Sequence, residues 1–263
     1  MARFNDHKLQ LLMQQTTPGM VISSAWLKKH GISSKLAWWY VKSGWLERVA
    51  IGAFKRPGDN VTWMGAVSAL QYQLNLPIHI GGKTALQLLG RGHYVPIAGI
   101  KKILLYRATR FTIPQWFRYT DWLVDLEIHT ANFFADHGSS DAAILEREFD
   151  NVKLKLSAPE RSIMEVLYHV PQYNTFNEAS LLMENLAQLR PKVVQTLLQN
   201  CLSIKTKRLF LYFAEKFAHP WMKALNLDTV KLGSGKIKIG EGGKYIGKYK
   251  ISIPETEENE YQL

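Results

Sequence analysis

The sequence predicts an α+β protein: an N-terminal winged helix-turn-helix, then a larger mixed α/β region that closes on a terminal β-hairpin. Three observations carry this expectation. The first 57 residues hold three short helical patterns followed by two strand-like pieces. A helical block opens at Ser157 after a strand-rich middle. Residues 230–253 then change to the period-two alternation of strands.

Lys8 to Gln15 is a short amphipathic helix with Leu9, Leu12 and Met13 on one side, broken by Thr16-Thr17-Pro18-Gly19. Ser23 or Ser24 caps a second helix, Ala25 to His30, which Gly31 ends at C′. Ser33-Ser34 caps a third, running to Ser43 before Gly44 stops it. Trp45 to Ile51 and Ala53 to Arg56 read as strands around Gly52, and Pro57-Gly58-Asp59-Asn60 closes the unit. Helix returns from Trp63 to Asn75, Pro77 to Ile80 is a short strand, and Lys83 to Leu89 is again helical. Between residues 93 and 128 the best strands are Ile103 to Tyr106 and Leu123 to Ile128.

Ser157-Ala158-Pro159-Glu160 is a helix-start signature, with Pro159 in the first turn and Glu160 at N3. The helices after it cover Glu160 to His169, Asn177 to Gln188, Pro191 to Asn200 and Leu209 to Phe217. Lys236-Ile237-Lys238-Ile239, a turn over residues 240–243, and Tyr249 to Ile253 form a hairpin with one apolar and one basic face. The expected divisions are 1–57, 58–156 and 157–254, with an acidic tail at 255–263.

The chain has 263 residues, 46% hydrophobic and 21% charged, enough to bury a core without staples. No apolar run approaches the ~20 residues of a membrane helix. The start, Met-Ala-Arg-Phe-Asn-Asp-His-Lys, lacks the apolar segment of a secretory signal. A single cysteine, Cys201, excludes an internal disulfide and a Cys-based zinc site. A cytoplasmic setting with no membrane follows as the expectation. The net charge is +11. Residues 1–60 hold nine basic and three acidic groups, residues 151–254 sixteen and seven, and the stretch between them eight of each. Two basic blocks around a neutral middle suit a polyanion partner, although such charge also serves solubility.

At about 100° per residue, Leu36, Ala37, Tyr40 and Val41 fall on one side of the third helix. Ser34, Lys35, Trp38, Trp39 and Lys42 fall on the other. The first set packs against the preceding helices, so the second faces outward. Large exposed aromatics cluster at binding surfaces, and Ser and Lys at a helix start suit phosphates and major-groove edges. Ser33, Ser34, Lys35, Trp38, Trp39 and Lys42 are therefore the candidate DNA-binding residues, with Arg48, Lys55 and Arg56 on the wing. Trp39 sits at the boundary of the two faces, where the wing or the middle region could bury it. Winged helices also serve as protein-interaction modules.

These features resemble the AbiEi-type antitoxins of type IV toxin–antitoxin systems. The resemblance lies in Val41-Lys42-Ser43-Gly44-Trp45-Leu46-Glu47-Arg48, in His79-Ile80-Gly81-Gly82-Lys83-Thr84-Ala85-Leu86 with Gly92-His93-Tyr94 after it, and in Ser157-Ala158-Pro159-Glu160-Arg161. Ser203-Ile204-Lys205-Thr206-Lys207-Arg208-Leu209 and Leu232-Gly233-Ser234-Gly235-Lys236 complete it. It implies a winged helix that binds inverted-repeat DNA upstream of its own operon and represses it. It also implies a C-terminal region that counteracts a nucleotidyltransferase-like toxin without a stable complex. Lys205, Lys207, Arg208, Lys236 and Lys238 match the motifs in which the family's basic residues matter, and would form an antitoxin or second polyanion surface. The Trp38-Trp39 pair departs from the polar residues expected there, which leaves the operator sequence open.

Catalytic and cofactor chemistry is not legible. Gly81-Gly82-Lys83-Thr84 would be a phosphate loop only with glycine at position 77, which is Pro77; a tight turn capping the next helix is the expectation. His79, His93, His129, His137, His169 and His219 do not fall at metal-ligand spacing. Glu146, Glu148 and Asp150 read as a solvated charged stretch, and Cys201 as a core residue. No enzymatic activity, metal or cofactor is expected. Two alternatives stay open: a module that sequesters the toxin directly, or an RNA-binding protein that shields the toxin's substrate through residues 205–250. With no heptads or long apolar seam, a monomer is expected, and cooperativity on DNA is left open.

Overall fold

The computed structural model describes residues 2–92, 100–130, 132–135, 143–241 and 243–254, with the side chains of 2–6 left aside. His93, Tyr94, His137, Gly242 and the acidic tail lie outside the described residues.

The N-terminal unit runs α1 (Ala2–Gln15), β1 (Ile22–Ser23), α2 (Ser24–Lys29), α3 (Ser34–Lys42), β2 (Glu47–Ala50) and β3 (Ala53–Lys55). Its small sheet has the order β1-β3-β2, antiparallel throughout, which is the winged-helix topology. Each junction has a local cause. The Ser23 hydroxyl caps α2 by accepting from the Trp26 amide, and Ser33 caps α3 by accepting from Leu36. Gly44 follows α3 with φ of 73°, a left-handed turn that glycine enters without steric cost. Leu12, Ile22, Leu27, Ile32, Ala37, Tyr40, Leu46 and Phe54 fill the interior.

The body is built on a five-stranded mixed sheet of order β6-β5-β4-β8-β7. Its strands are β4 (Ile78–Ile80), β5 (Lys102–Arg107), β6 (Asp125–Thr130), β7 (Ile144–Phe149) and β8 (Val152–Ser157). The expected helix from Trp63 divides into α4 (Trp63–Ser68) and a π-helical turn, Ala69–Gln73. Two further helices, α5 (Gly82–Leu88) and α6 (Gln115–Tyr119), flank the sheet, the latter within the stretch read as strand-rich. The charged stretch around Glu146 and Glu148 is exposed, as expected, and forms an edge strand. Asp150 and Asn151 both have positive φ, 47° and 63°, the geometry of a two-residue hairpin turn.

Alternation along β5 separates two cores. Ile103 and Leu105 join Ile78, Ile80, Leu154 and Leu156 on one face, where Trp63, Leu70, Trp116 and the winged helix's Val21 and Ala53 pack. Leu104 and Tyr106 face the other core, with α7 (Pro159–Tyr168), α8 (Phe176–Glu184), α9 (Pro191–Asn200) and α10 (Ile204–Lys216). In α7 the cap is Ala158, since Ser157 still belongs to β8; Glu160 therefore sits one position earlier than expected. Its carboxylate takes hydrogen bonds from Arg190 Nε and Nη2, both 2.9 Å, so it does not close a capping box.

The C-terminal sheet joins β9 (Ile237–Lys238), β10 (Lys244–Ile246) and β11 (Ile251–Ile253). The hairpin is β10–β11, whereas β9 pairs with β11 in parallel. The expected antiparallel pairing of 236–239 with 249–253 is thus corrected, although the alternation holds: Ile239 is buried, and Lys236 and Lys238 point to solvent.

Two glutamines of the π-helical turn tie these parts together. The Gln73 amide donates to Val21 O (2.6 Å) and accepts from Ser23 N (2.9 Å), as a neighbouring strand would for β1. Gln71 does the same for Lys155, donating to its carbonyl (2.9 Å) and accepting from its amide (2.8 Å). The extra residue of a π-turn lets both side chains leave one short helix toward different strands.

Candidate nucleic-acid interface

Tyr40 and Ala37 are buried in the winged-helix core, with Leu36 and Val41 half-buried beside them. That core is full, so the other side of α3 is left in solvent. Ser33, Ser34, Lys35, Trp38, Trp39 and Lys42 are all exposed, Trp38 by 54% and Trp39 by 47%. Trp45, just after α3, is exposed by 47%. Lys42 Nζ lies 5.3 Å from the Trp38 ring centre, so one cation stacks on one indole. The face is cationic and aromatic, with no carboxylate among these residues.

The wing is less free than its composition suggests. Arg48 is exposed. Lys55 pairs with Glu47 at 3.0 Å and donates to Asp59 O at 2.8 Å. The hydrogen bond from Lys55, helped by the Gly58 amide, holds the Glu47 carboxyl below its ordinary range. Arg56 Nη1 donates to Thr16 O at 3.1 Å. Of the three expected wing cations, two have intramolecular work to do.

The second basic surface needs a larger correction. Lys207 is buried and Arg208 only 1% exposed. Arg208 Nε donates to Leu232 O (2.8 Å), and its Nη1 to Gly235 O (2.5 Å) and Lys250 O (3.1 Å). It thereby satisfies the carbonyls of Leu232 and Gly235 in an irregular segment, and is a second donor to Lys250 O, which already accepts from Ile237 N at 3.0 Å. Half-buried Lys205 donates to Tyr168 O (2.7 Å) and Val170 O (2.5 Å). Burial pushes the ammonium pKa of both Lys205 and Lys207 down. Lys205 and Arg208 thus brace the fold through their hydrogen bonds, and Lys207 is buried. Lys236 and Lys238 are exposed, as are Lys244 and Lys250, while Lys248 pairs with Glu215. Lys236 lies 5.2 Å from the Tyr245 ring centre.

The glycine pair that imitates a phosphate loop receives an anion from within the chain. Glu165 of α7 is fully buried, and its carboxylate accepts from the Gly82 amide (2.9 Å), Ser157 Oγ (2.8 Å) and Arg161 Nε (2.8 Å). His79 Nε2 lies 2.8 Å from the same carboxylate. A Cβ on Gly81 would sit 2.3 Å from Glu165 Oε2, so only glycine fits. Burial alone would raise the Glu165 pKa; His79 and Arg161 outweigh it and bring it to about 2. This meets the expectation of a tight turn before the helix, and supplies its anion. Sequence spacing could not reveal it, because 83 residues separate Gly82 from Glu165.

His79, Tyr106 and His129 stand in register across β4, β5 and β6, with His169 over them, 4.7 Å from the His129 ring. Burial lowers the His79 pKa despite Glu165, and lowers His169 to about 4, aided by His129. Among the described residues, no group of three or more such side chains is arranged to hold a metal ion. Cys201 is buried, its thiol pushed up to about 11 by that burial.

The element order, sheet order and outward α3 define a winged-helix protein with an α+β body. Residues 5–97 match the family described as "Transcriptional regulator, AbiEi antitoxin N-terminal domain", and residues 100–254 match "Transcriptional regulator, AbiEi antitoxin, Type IV TA system". The chain belongs to this family of transcriptional-regulator antitoxins of type IV toxin–antitoxin systems. Its fold is similar to the crystal structure of the RV2827C protein from Mycobacterium tuberculosis, with a TM-score of 0.59 and 14% identity over 92% of this chain and 88% of that one. Comparison with curated proteins finds no match. Among the described residues, no helix is long and apolar enough to cross a membrane.

Proposed function

We propose that the chain represses its own operon by laying α3 into the major groove of inverted-repeat DNA, while its C-terminal region counteracts a nucleotidyltransferase-like toxin without a lasting complex. The observation that supports the first half is the exposed face of Ser33, Ser34, Lys35, Trp38, Trp39 and Lys42, carried on the helix that winged-helix proteins dock. Arg48 is the wing cation best placed to add a phosphate contact, since Lys55 and Arg56 are already bonded. For the second half, the polyanion surface reduces to the lysines of the C-terminal sheet, Lys236, Lys238, Lys244 and Lys250. We read the chain as non-enzymatic, because its buried carboxylate Glu165 is surrounded by donors of its own fold.

The test is equilibrium binding of the full chain to the duplex upstream of its gene, against a scrambled duplex, across salt. If about six phosphates are contacted, log K should fall against log salt with a slope of about −5. A flat slope with no preference for the upstream repeat would contradict the repressor reading. Co-purification of a stoichiometric toxin complex would favour sequestration instead. Tight binding of tRNA that Lys236 and Lys238 substitutions abolish would favour shielding of an RNA substrate.

A further inference from the structure

We infer that the α3 face recognises thymine through its 5-methyl group, with the indoles of Trp38 and Trp39 as the reading groups. This rests on the repressor reading of α3 and says what that helix recognises. The argument is an inventory of the exposed face. Adenine is read in the major groove by the paired donor and acceptor of Asn or Gln, guanine by Arg or Lys, and the cytosine amino group by Asp or Glu. Among Ser33, Ser34, Lys35, Trp38, Trp39 and Lys42 there is no Asn, Gln, Arg, Asp or Glu. The hydroxyl oxygen of Ser33 accepts from the Leu36 amide, which leaves it one O–H donor, and Lys42 lies over the Trp38 ring. Lys35, Ser34 and the Ser33 O–H are left to reach a base acceptor or a phosphate.

What the face does offer is apolar area. An indole has one N–H donor and no acceptor, and the two rings stand about half in solvent. Of the four base edges in the major groove, thymine alone displays an apolar group. Packing a methyl against an indole removes both from water, at about 0.8 kcal/mol per carbon, or about fourfold in affinity for each methyl. Exposed indoles on a docking helix are costly to keep in water without such a partner. Charge complementarity brings the duplex; the indoles then favour thymine at the steps beneath them.

The experiment begins with duplexes that the full chain enriches from a random-sequence pool. Each thymine of the enriched site is then replaced singly by deoxyuridine, which deletes the methyl and leaves pairing unchanged. The expected result is a loss of about fourfold at one or more thymines in the wild type. That loss should vanish in the doubly substituted Trp38→Ala, Trp39→Ala chain and persist in Lys35→Ala, with circular dichroism confirming each fold. Equal affinity for thymine and deoxyuridine duplexes overturns the inference and leaves the repressor reading standing. A deoxyuridine loss that survives in the double variant overturns it too, because another group then reads the methyl. Failure to enrich any duplex overturns the repressor reading itself, and the inference with it.

Discussion

The winged helix and the C-terminal helical block are both rich in lysine and arginine, yet they use them in opposite ways. In α3 the cations stand in solvent, since Tyr40 and Ala37 fill the space behind them. At the start of α10, Lys207 and Arg208 turn inward, and Arg208 meets carbonyls of the irregular 232–235 segment and of Lys250. Positive charge along a sequence is therefore not yet a positive surface. The local need for donors decides it: a regular helix satisfies its own carbonyls, whereas an unpaired segment recruits an arginine to do so.

The sharpest way to break this contrast is to remove the most buried charge. Glu165→Leu removes the carboxylate that the Gly82 amide, Ser157 Oγ, His79 Nε2 and Arg161 Nε all bond. It should cost about 4 kcal/mol of stability in urea unfolding. Arg208→Met should cost about 3 kcal/mol, because the carbonyls of Leu232 and Gly235 lose the Arg208 donor. If Arg208→Met left stability unchanged while abolishing nucleic-acid binding, the arginine would be a surface residue and the contrast would be wrong. Gln73→Ala should cost about 2 kcal/mol, leaving Val21 O and Ser23 N without partners. Hydrogen exchange should show that loss concentrated at the β1 edge and the π-helical turn.

Acid sharpens the same contrast, since its targets lie in the body. His79 and His169 are both held below the ordinary histidine value of 6.5 by burial, so the unfolded chain binds more protons as pH falls through that value. Stability contributed by the neutral His169 is full above that value and is lost on descending toward about 4. Glu165 adds a second loss, beginning below its ordinary 4.5 and continuing toward about 2. The melting temperature should fall in those two stages, and His169→Phe should flatten the first. The smallest stability effect belongs to the winged helix: Lys35→Ala should change unfolding by less than about 0.5 kcal/mol. The same variant should weaken duplex binding and reduce the salt slope by about one.

The winged helix was legible because each of its parts carries a short-range cause. Ser23 and Ser33 cap, Gly31 and Gly44 stop, and four-residue spacing separates the two sides of α3. In the body, causes act at longer range. The β7–β8 hairpin hides behind Asp150-Asn151, a weaker turn signal than Asn-Gly, and behind the glutamates of an edge strand. The alternation of Val152, Leu154 and Leu156 fits the strand found there, though the expected strands do not include it. Nothing local tells that the glycine pair at 81–82 faces a carboxylate from α7, or that β9 joins β11 in parallel. The same limit explains the second basic surface: the pattern at Lys205, Lys207 and Arg208 was visible, but the carbonyls it serves lie as far away as Lys250.

Lysine labelling with mass-spectrometric readout, with and without the upstream duplex, tests the central claim most directly. Lys35 and Lys42 should label freely in the unbound chain and become protected by the duplex, while Lys207 should resist labelling in both states until the protein unfolds. Unchanged labelling of Lys35 and Lys42 with saturating duplex bound would contradict the account.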